Sequence, residues 1–120
     1  MEKKTILIVD DEIDILETFT FVLEKEGYQC LTARDGLDAL NKARDEKPSL
    51  ILLDVMLPKM NGYKVARLLK FDEKFRHIPI IMITAKRQES DRELGVETGV
   101  DAYITKPIEP KVLLEEIRKH

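Results

Sequence analysis

The sequence predicts a doubly wound α/β domain built on a parallel sheet, and three observations carry the prediction. Short apolar runs alternate five times with segments of helical periodicity over 120 residues, the pattern of repeated strand–helix crossovers. Two of the runs, Leu50-Ile-Leu-Leu-Asp54 and Ile80-Ile-Met-Ile83, are apolar without alternation, as strands covered on both faces must be. Carboxylates and a hydroxyl follow these runs directly, at the strand ends where open α/β sheets place their chemistry.

The first strand is Thr5–Val9, and Asp10, Asp11 and Glu12 after it suit a helix N-terminus. A helix from Ile13 to Glu26 presents Leu16, Phe19 and Leu23 on one stripe, and Gly27 supplies a left-handed C-cap. It has more apolar residues than one stripe needs, which leaves Ile13, Ile15 or Phe21 for the surface. Gln29–Ala33 is short and more polar, hence an edge strand. Asp35-Gly36 turns into a second helix, Leu37–Asp45, with Leu37, Leu40 and Ala43 facing inward.

Pro48 precedes the central strand Leu50–Asp54, and Pro58 to Gly62 form a loop. A third helix, Tyr63–Phe71, has Val65, Leu68 and Leu69 as its core positions. Ile80–Ile83 is the fourth strand and ends in Thr84. A fourth helix over Glu89–Thr98 is mostly polar with Gly95 inside, which weakens it by about 1 kcal/mol against alanine. Gly99 closes it, Asp101–Thr105 forms the fifth strand, and Pro110 opens a fifth helix with Val112, Leu113, Leu114 and Ile117 as its apolar positions. The whole chain, 1–120, reads as a single domain.

Composition narrows the function. A net charge of −3 with scattered lysines and arginines and no basic stripe gives no electrostatic ground for nucleic-acid binding. The single cysteine, Cys30, rules out an internal disulfide and reads as a small buried apolar group. No signal-type segment or span-length apolar run is present, so the expectation is a cytoplasmic protein that does not contact a membrane.

Strand one delivers Asp10 and Asp11, strand three Asp54, strand four Thr84, and Lys106 lies beyond strand five. In strand order 2-1-3-4-5 the first and third strands are neighbours, so the three carboxylates converge. Such a cluster persists only with a cation in it or with one acid protonated. Oxygen ligands with open positions suit Mg2+, with Mn2+ as a substitute. A hydroxyl and an ammonium opposite a cation are what a transferring phosphoryl group needs, and a carboxylate completes an aspartyl-phosphate site. Taken singly, each residue has an ordinary reading: an aspartate pair caps helices, Asp54 fits a turn, Thr84 is a strand-end hydroxyl, Tyr103 a half-buried strand aromatic, and Lys106 a solvated charge. Their coincidence on one rim is what carries the argument.

The sequence resembles the receiver domains of bacterial two-component response regulators over essentially its whole length. The matching residues are Val9-Asp-Asp-Glu12, Asp54 with Met56-Leu-Pro58 and Gly62, Thr84-Ala85, and Tyr103 followed by Lys106-Pro107. The resemblance implies a flavodoxin-like fold with five strands and five helices. It implies that Asp54 accepts a phosphoryl group from a phosphohistidine on a sensor histidine kinase or phosphotransfer protein. Asp11, Asp54 and the backbone carbonyl of Met56 would ligate Mg2+, with Asp10 helping through water. Thr84 and Lys106 would hold the phosphoryl oxygens, the Lys106–Pro107 bond would be cis, and Tyr103 would switch exposure as Thr84 moves. The face formed by the fourth helix, fifth strand and fifth helix would then control a downstream protein or an output domain. On this reading the chain assists its own phosphotransfer and dephosphorylation and turns over no external substrate. Kinase contact is assigned to Ile15, Thr18, Phe21 and Ile108.

Met56-Leu-Pro58, Glu97-Thr98-Gly99 and Asp101-x-Tyr103-Ile-Thr-Lys-Pro107 look most like the branch whose receivers carry a winged-helix DNA-binding domain. That branch usually places an acid directly before the aromatic and an arginine in the last helix, where this chain has Ala102 and Glu116. The departure bears on the branch's activated dimer. The chain ends just after the fifth helix, and the expectation is a free-standing receiver that docks a partner, with a piece of a longer regulator as the alternative. Met56, having only a thioether, does not orient a hydrolytic water by hydrogen bonding, so the phosphorylated form is expected to be long-lived. Lys86, two past Thr84, either covers the phosphoryl group or pairs elsewhere.

Three other functions compete. A phosphohydrolase using Asp54 as transient nucleophile would want a general acid where Met56 stands. An interaction module that keeps only the fold would not need Asp54, Thr84 and Lys106 together. A nucleotide-binding protein would want a glycine-rich loop where Asp10-Asp11-Glu12 stands.

Overall fold

Parallel strands with apolar side chains on both faces must lie in the middle of three layers, and that is the architecture found. The computed structural model describes residues 4–85 and 99–120. Five parallel strands, β1 (Thr5–Val9), β2 (Gln29–Ala33), β3 (Leu50–Asp54), β4 (Ile80–Ala85) and β5 (Ala102–Lys106), form one sheet in the order β2-β1-β3-β4-β5. The register pairs Val9 with Leu53, Asp54 with Ile83, and Ala85 with Lys106. Asp10 and Asp54 therefore emerge at the same level from neighbouring strands, at the reversal of strand order.

Four helices are described: α1 (Ile13–Lys25), α2 (Gly36–Glu46), α3 (Gly62–Lys70) and α4 (Pro110–Arg118). The helix expected over Glu89–Thr98, like Lys86, lies outside the described residues. Alternation along the strands sends side chains to two separate cores. Leu7, Val9, Ile51, Leu53, Ile80 and Met82 pack with α2 and α3, while Ile6, Ile8, Leu50, Leu52, Ile81 and Ile83 pack with α1 and α4. Among the described residues, the expected strand and helix bounds hold to within a residue or two.

Several inward assignments need correction. Leu37 is 47% exposed, and Ala39, Leu40 and Ala43 form the stripe of α2 instead. Ala39 is completely covered, and its small side chain lets the helix approach the sheet. Leu68 is 37% exposed because Val65, Ala66 and Leu69 already fill the stripe of α3. In α4, for which only apolar positions and no inward face were assigned, Leu113 and Ile117 are buried and Val112 is exposed. Cys30 is half-buried on the edge strand rather than fully covered, and burial followed by the charge of Glu24 pushes its thiol up to about 11. Asp101 precedes β5; its carboxylate accepts from the Ile80 amide at 2.8 Å and pairs with the Lys70 ammonium at 2.7 Å. Lys70 also donates to the Ile78 carbonyl, so one lysine ties the end of α3 to the entrances of β4 and β5.

Candidate functional site

The carboxyl edge of the sheet gathers the polar residues that the core excludes. Asp10, Asp54 and Thr84 are each almost fully buried, a position carboxylates occupy only when paired. Lys106, held at the end of β5, supplies the pairing: its Nζ lies 3.4 Å from Asp54 Oδ2 and 3.5 Å from Asp10 Oδ2. The peptide bond from Lys106 to Pro107 is cis. Asp54 Oδ1 also accepts from the Met56 amide at 3.4 Å, and Asp10 Oδ1 accepts from the Glu12 amide at 2.9 Å.

Burial raises the Asp54 carboxyl to about 6, with the charge of Asp10 adding to the shift and Lys106 opposing it. Burial works against the Lys106 ammonium, yet Asp54 and then Asp10 hold it above its ordinary value. One cation thus faces two buried acids, and the site carries an uncompensated negative charge. Asp10 Oδ2, fully buried, has no hydrogen-bond donor among the described residues; its contact with Lys106 is the longer ion pair already given.

Carboxylate oxygens of Asp10, Asp11 and Glu12 come within 4.8 Å of one another, a grouping able to hold a metal ion. Asp11 and Glu12 are exposed while Asp10 is buried, so the grouping opens to solvent on one side. An unmatched buried oxygen, an uncompensated charge and an all-oxygen donor set fit a hard divalent cation that keeps part of its water shell. Of the expected trio, Asp10 and Asp54 share the Lys106 ammonium, while Asp11 groups with Asp10 and Glu12 and Asp54 lies outside that grouping. Glu12, read from the sequence as a helix-start residue and part of the Val9-Asp-Asp-Glu12 motif but not as a ligand, joins the acidic group. Its position beside the aspartate pair was the available signal.

Thr84 stands one residue past the partner of Asp54 on β4 and is 2% exposed. Tyr103 pairs with Met82 and is half-buried against the core on the α2–α3 side. Met56 is 62% exposed at the mouth of the site. Of the residues assigned to partner contact, Phe21 is 64% exposed and Thr18 is exposed, its hydroxyl donating to the Asp14 carbonyl. Ile15 and Ile108 are partly buried against the α1–α4 core. Ile13, at 49% exposure, is the more accessible apolar residue of the first turn.

Comparison with known proteins identifies the family. The family model described as the response regulator receiver domain matches residues 6–118. The chain is 49% identical over 108 residues to the alkaline phosphatase synthesis transcriptional regulatory protein PhoP of Bacillus subtilis, covering 90% of this chain and 44% of that protein. It is also 49% identical over 118 residues to the phosphate regulon transcriptional regulatory protein PhoB of Pseudomonas aeruginosa, covering 98% and 52%. The chain thus spans about half the length of the curated relatives it matches. Among solved structures, the receiver domain of sensor histidine kinase PA1611 from Pseudomonas aeruginosa, with a magnesium ion coordinated in its active site cleft, superposes with a TM-score of 0.89 at 29% identity, covering 98% of this chain and 97% of that one.

Proposed function

The chain belongs to the response regulator receiver family, and on that premise we propose that it is a phosphoacceptor signalling domain with Asp54 as the acceptor. The observation that carries this reading is the buried Asp54 carboxylate at the end of the central strand, held within 3.4 Å of the Lys106 ammonium. In the reaction, an Asp54 oxygen bonds to the phosphorus of a phosphohistidine on a sensor kinase or phosphotransfer protein. The phosphorus–nitrogen bond breaks, and the neutral imidazole leaves with a proton from solvent. Asp11, Asp54 and the Met56 carbonyl would hold Mg2+, with Asp10 helping through water, and the cation would supply counter-charge for the transferring oxygens. Mn2+ is able to take its place.

Lys106 anchors one phosphoryl oxygen and the Thr84 hydroxyl another. The phosphoryl group interacts with Thr84 in only one of two arrangements, and that difference biases the Thr84–Tyr103 pair toward the active one. The domain releases no product from an external substrate, because Met56 occupies the place where an aspartate-nucleophile phosphatase needs a general acid. Kinase docking falls to α1 and the loop after β5, through Ile15, Thr18, Phe21 and Ile108. The output is a protein target or a covalently attached output domain. Among the described residues no helix is long and apolar enough to cross a membrane, and a cytoplasmic site of action fits a phosphohistidine donor.

Intact mass after incubation with acetyl phosphate and Mg2+ tests the reading. One phosphoryl adduct is expected for the wild type, none in chelator, and none for Asp54→Ala. An adduct that persists in the folded Asp54→Ala protein, or a wild type that binds Mg2+ and takes no phosphoryl group, overturns it.

A further inference from the structure

Two of the groups that would hold the cation, Asp11 and the Met56 carbonyl, sit on loops that the sheet does not fix. Asp54 ends β3 and Asp10, one residue past β1, is still tied to β2 through its amide and the Ala33 carbonyl at 3.1 Å, but Asp11 lies two residues past the end of β1, and the Met56 carbonyl two residues past the end of β3. Mg2+ accepts oxygens only at about 2.0–2.1 Å in near-octahedral geometry, so small displacements of either loop degrade the site.

A third loop, between β2 and α2, touches both. The guanidinium of Arg34 donates to the Asp11 carbonyl at 3.3 Å. Two residues on, the Gly36 amide donates to the Pro58 carbonyl at 3.3 Å. Between them, Asp35 pairs with Lys59 at 3.5 Å while capping α2 through the Asp38 amide. Gly36 lies so close to the neighbouring loop that a Cβ there would stand 1.8 Å from the Met60 carbonyl oxygen. The loop it meets is itself tightly closed: the Gly62 amide donates to the Val55 carbonyl at 2.9 Å. None of Arg34, Asp35 and Gly36 is a ligand or a phosphoryl contact.

We propose that Arg34-Asp35-Gly36 is a positioning brace that sets the separation of Asp11 from the Met56 carbonyl and thereby the affinity of the site for a divalent cation. The inference rests on the cation-binding reading of Asp11, Asp54 and Met56. Gly36 is the main member, since a side chain there drives the Met60 carbonyl, and the loop carrying Met56, away from the β1–α1 loop. Arg34 restrains the other side.

The test is the Mn2+ dissociation constant of the full chain, read by electron paramagnetic resonance, alongside thermal melts in chelator. Gly36→Ala is expected to weaken Mn2+ binding by about tenfold or more, the usual effect of disturbing groups behind the ligands. Arg34→Met, which keeps the apolar stem and removes the donor, is expected to weaken binding several-fold while its melt in chelator stays that of the wild type. A role confined to fold stability would lower the melt and leave the constant unchanged. A folded Gly36→Ala with wild-type affinity overturns the brace. Should Gly36→Ala fail to fold, wild-type affinity in Arg34→Met does the same. Loss of binding in Asp11→Ala with both brace variants unaffected sinks this inference alone. A wild type that does not bind Mn2+ removes the functional reading and the brace with it.

Discussion

Asp54 shows how one residue can be placed by its neighbours and still be energetically costly. Its carboxyl is raised to about 6 first by burial and then by Asp10, whereas an unfolded chain titrates it near 3.9. Between those values the folded state holds a proton that the unfolded chain has released. In chelator, the contribution of Asp54 to stability is therefore greatest below pH 4, falls as pH rises to 6, and is level above. Asp54→Asn removes that dependence and is expected to stabilise the cation-free protein by on the order of 2 kcal/mol at pH 7, with the gain vanishing near pH 4 in a series of urea melts. An equal gain at pH 4 and pH 7 would contradict this origin. Met56 makes a second residue-scale prediction. Its exposed thioether presents no donor to a water beside an acyl phosphate, so Met56→Asn should speed loss of the phosphoryl group several-fold in a mass-spectrometric time course. An unchanged rate would place the control of lifetime elsewhere. These residues were legible in the sequence because Asp54 ends an unmistakable apolar strand and Met56 follows it by two. Arg34 and Gly36 were not, since their partners are backbone carbonyls of other loops, which leave no mark on residue type.

Among the elements, the strands were read more faithfully than the helix faces, and the reason is geometric. A strand buried on both sides declares itself by an unbroken apolar run, as in β3 and β4. A helix against a sheet is decided by a few degrees of rotation, and size misleads: Leu37 and Leu68 face outward while Ala39 and Ala66 are covered. The loop after β3 was recognised from Pro58 and Gly62, but its strained residue was not. Lys59 has φ +66, a left-handed conformation that disfavours a Cβ by about 1–2 kcal/mol. Its ion pair with Asp35 joins a side chain 67% exposed and is worth little. Lys59→Gly is therefore expected to raise stability by about 1 kcal/mol, read as a melting temperature higher by a few degrees. A lower melting temperature would mean that the pair outweighs the backbone strain.

At the scale of the whole molecule, two apolar cores clamp one sheet, and the sheet carries a cluster of acids on its carboxyl rim. The cores make the rim rigid, and rigidity keeps Asp10 and Asp54 buried side by side with one lysine between them. Strand order makes this possible: β1 and β3 are neighbours only because the chain reverses its winding there, so a switch in topology becomes a concentration of charge. A molecule built this way is least stable when the rim is ionised and empty of counter-charge. A ligand that binds the folded state alone must then stabilise it by mass action. Mg2+ at a hundred times its dissociation constant is expected to add about 2.7 kcal/mol, a rise in melting temperature on the order of 10 °C for a domain of this size. The rise should be absent in Asp11→Ala, whose strands and cores are untouched. Equal rises in both proteins would show that the cation acts on the general acidity of the surface and not on this rim. A rise confined to the wild type would tie the stability of the whole fold to the same few oxygens that are proposed to direct the phosphoryl group.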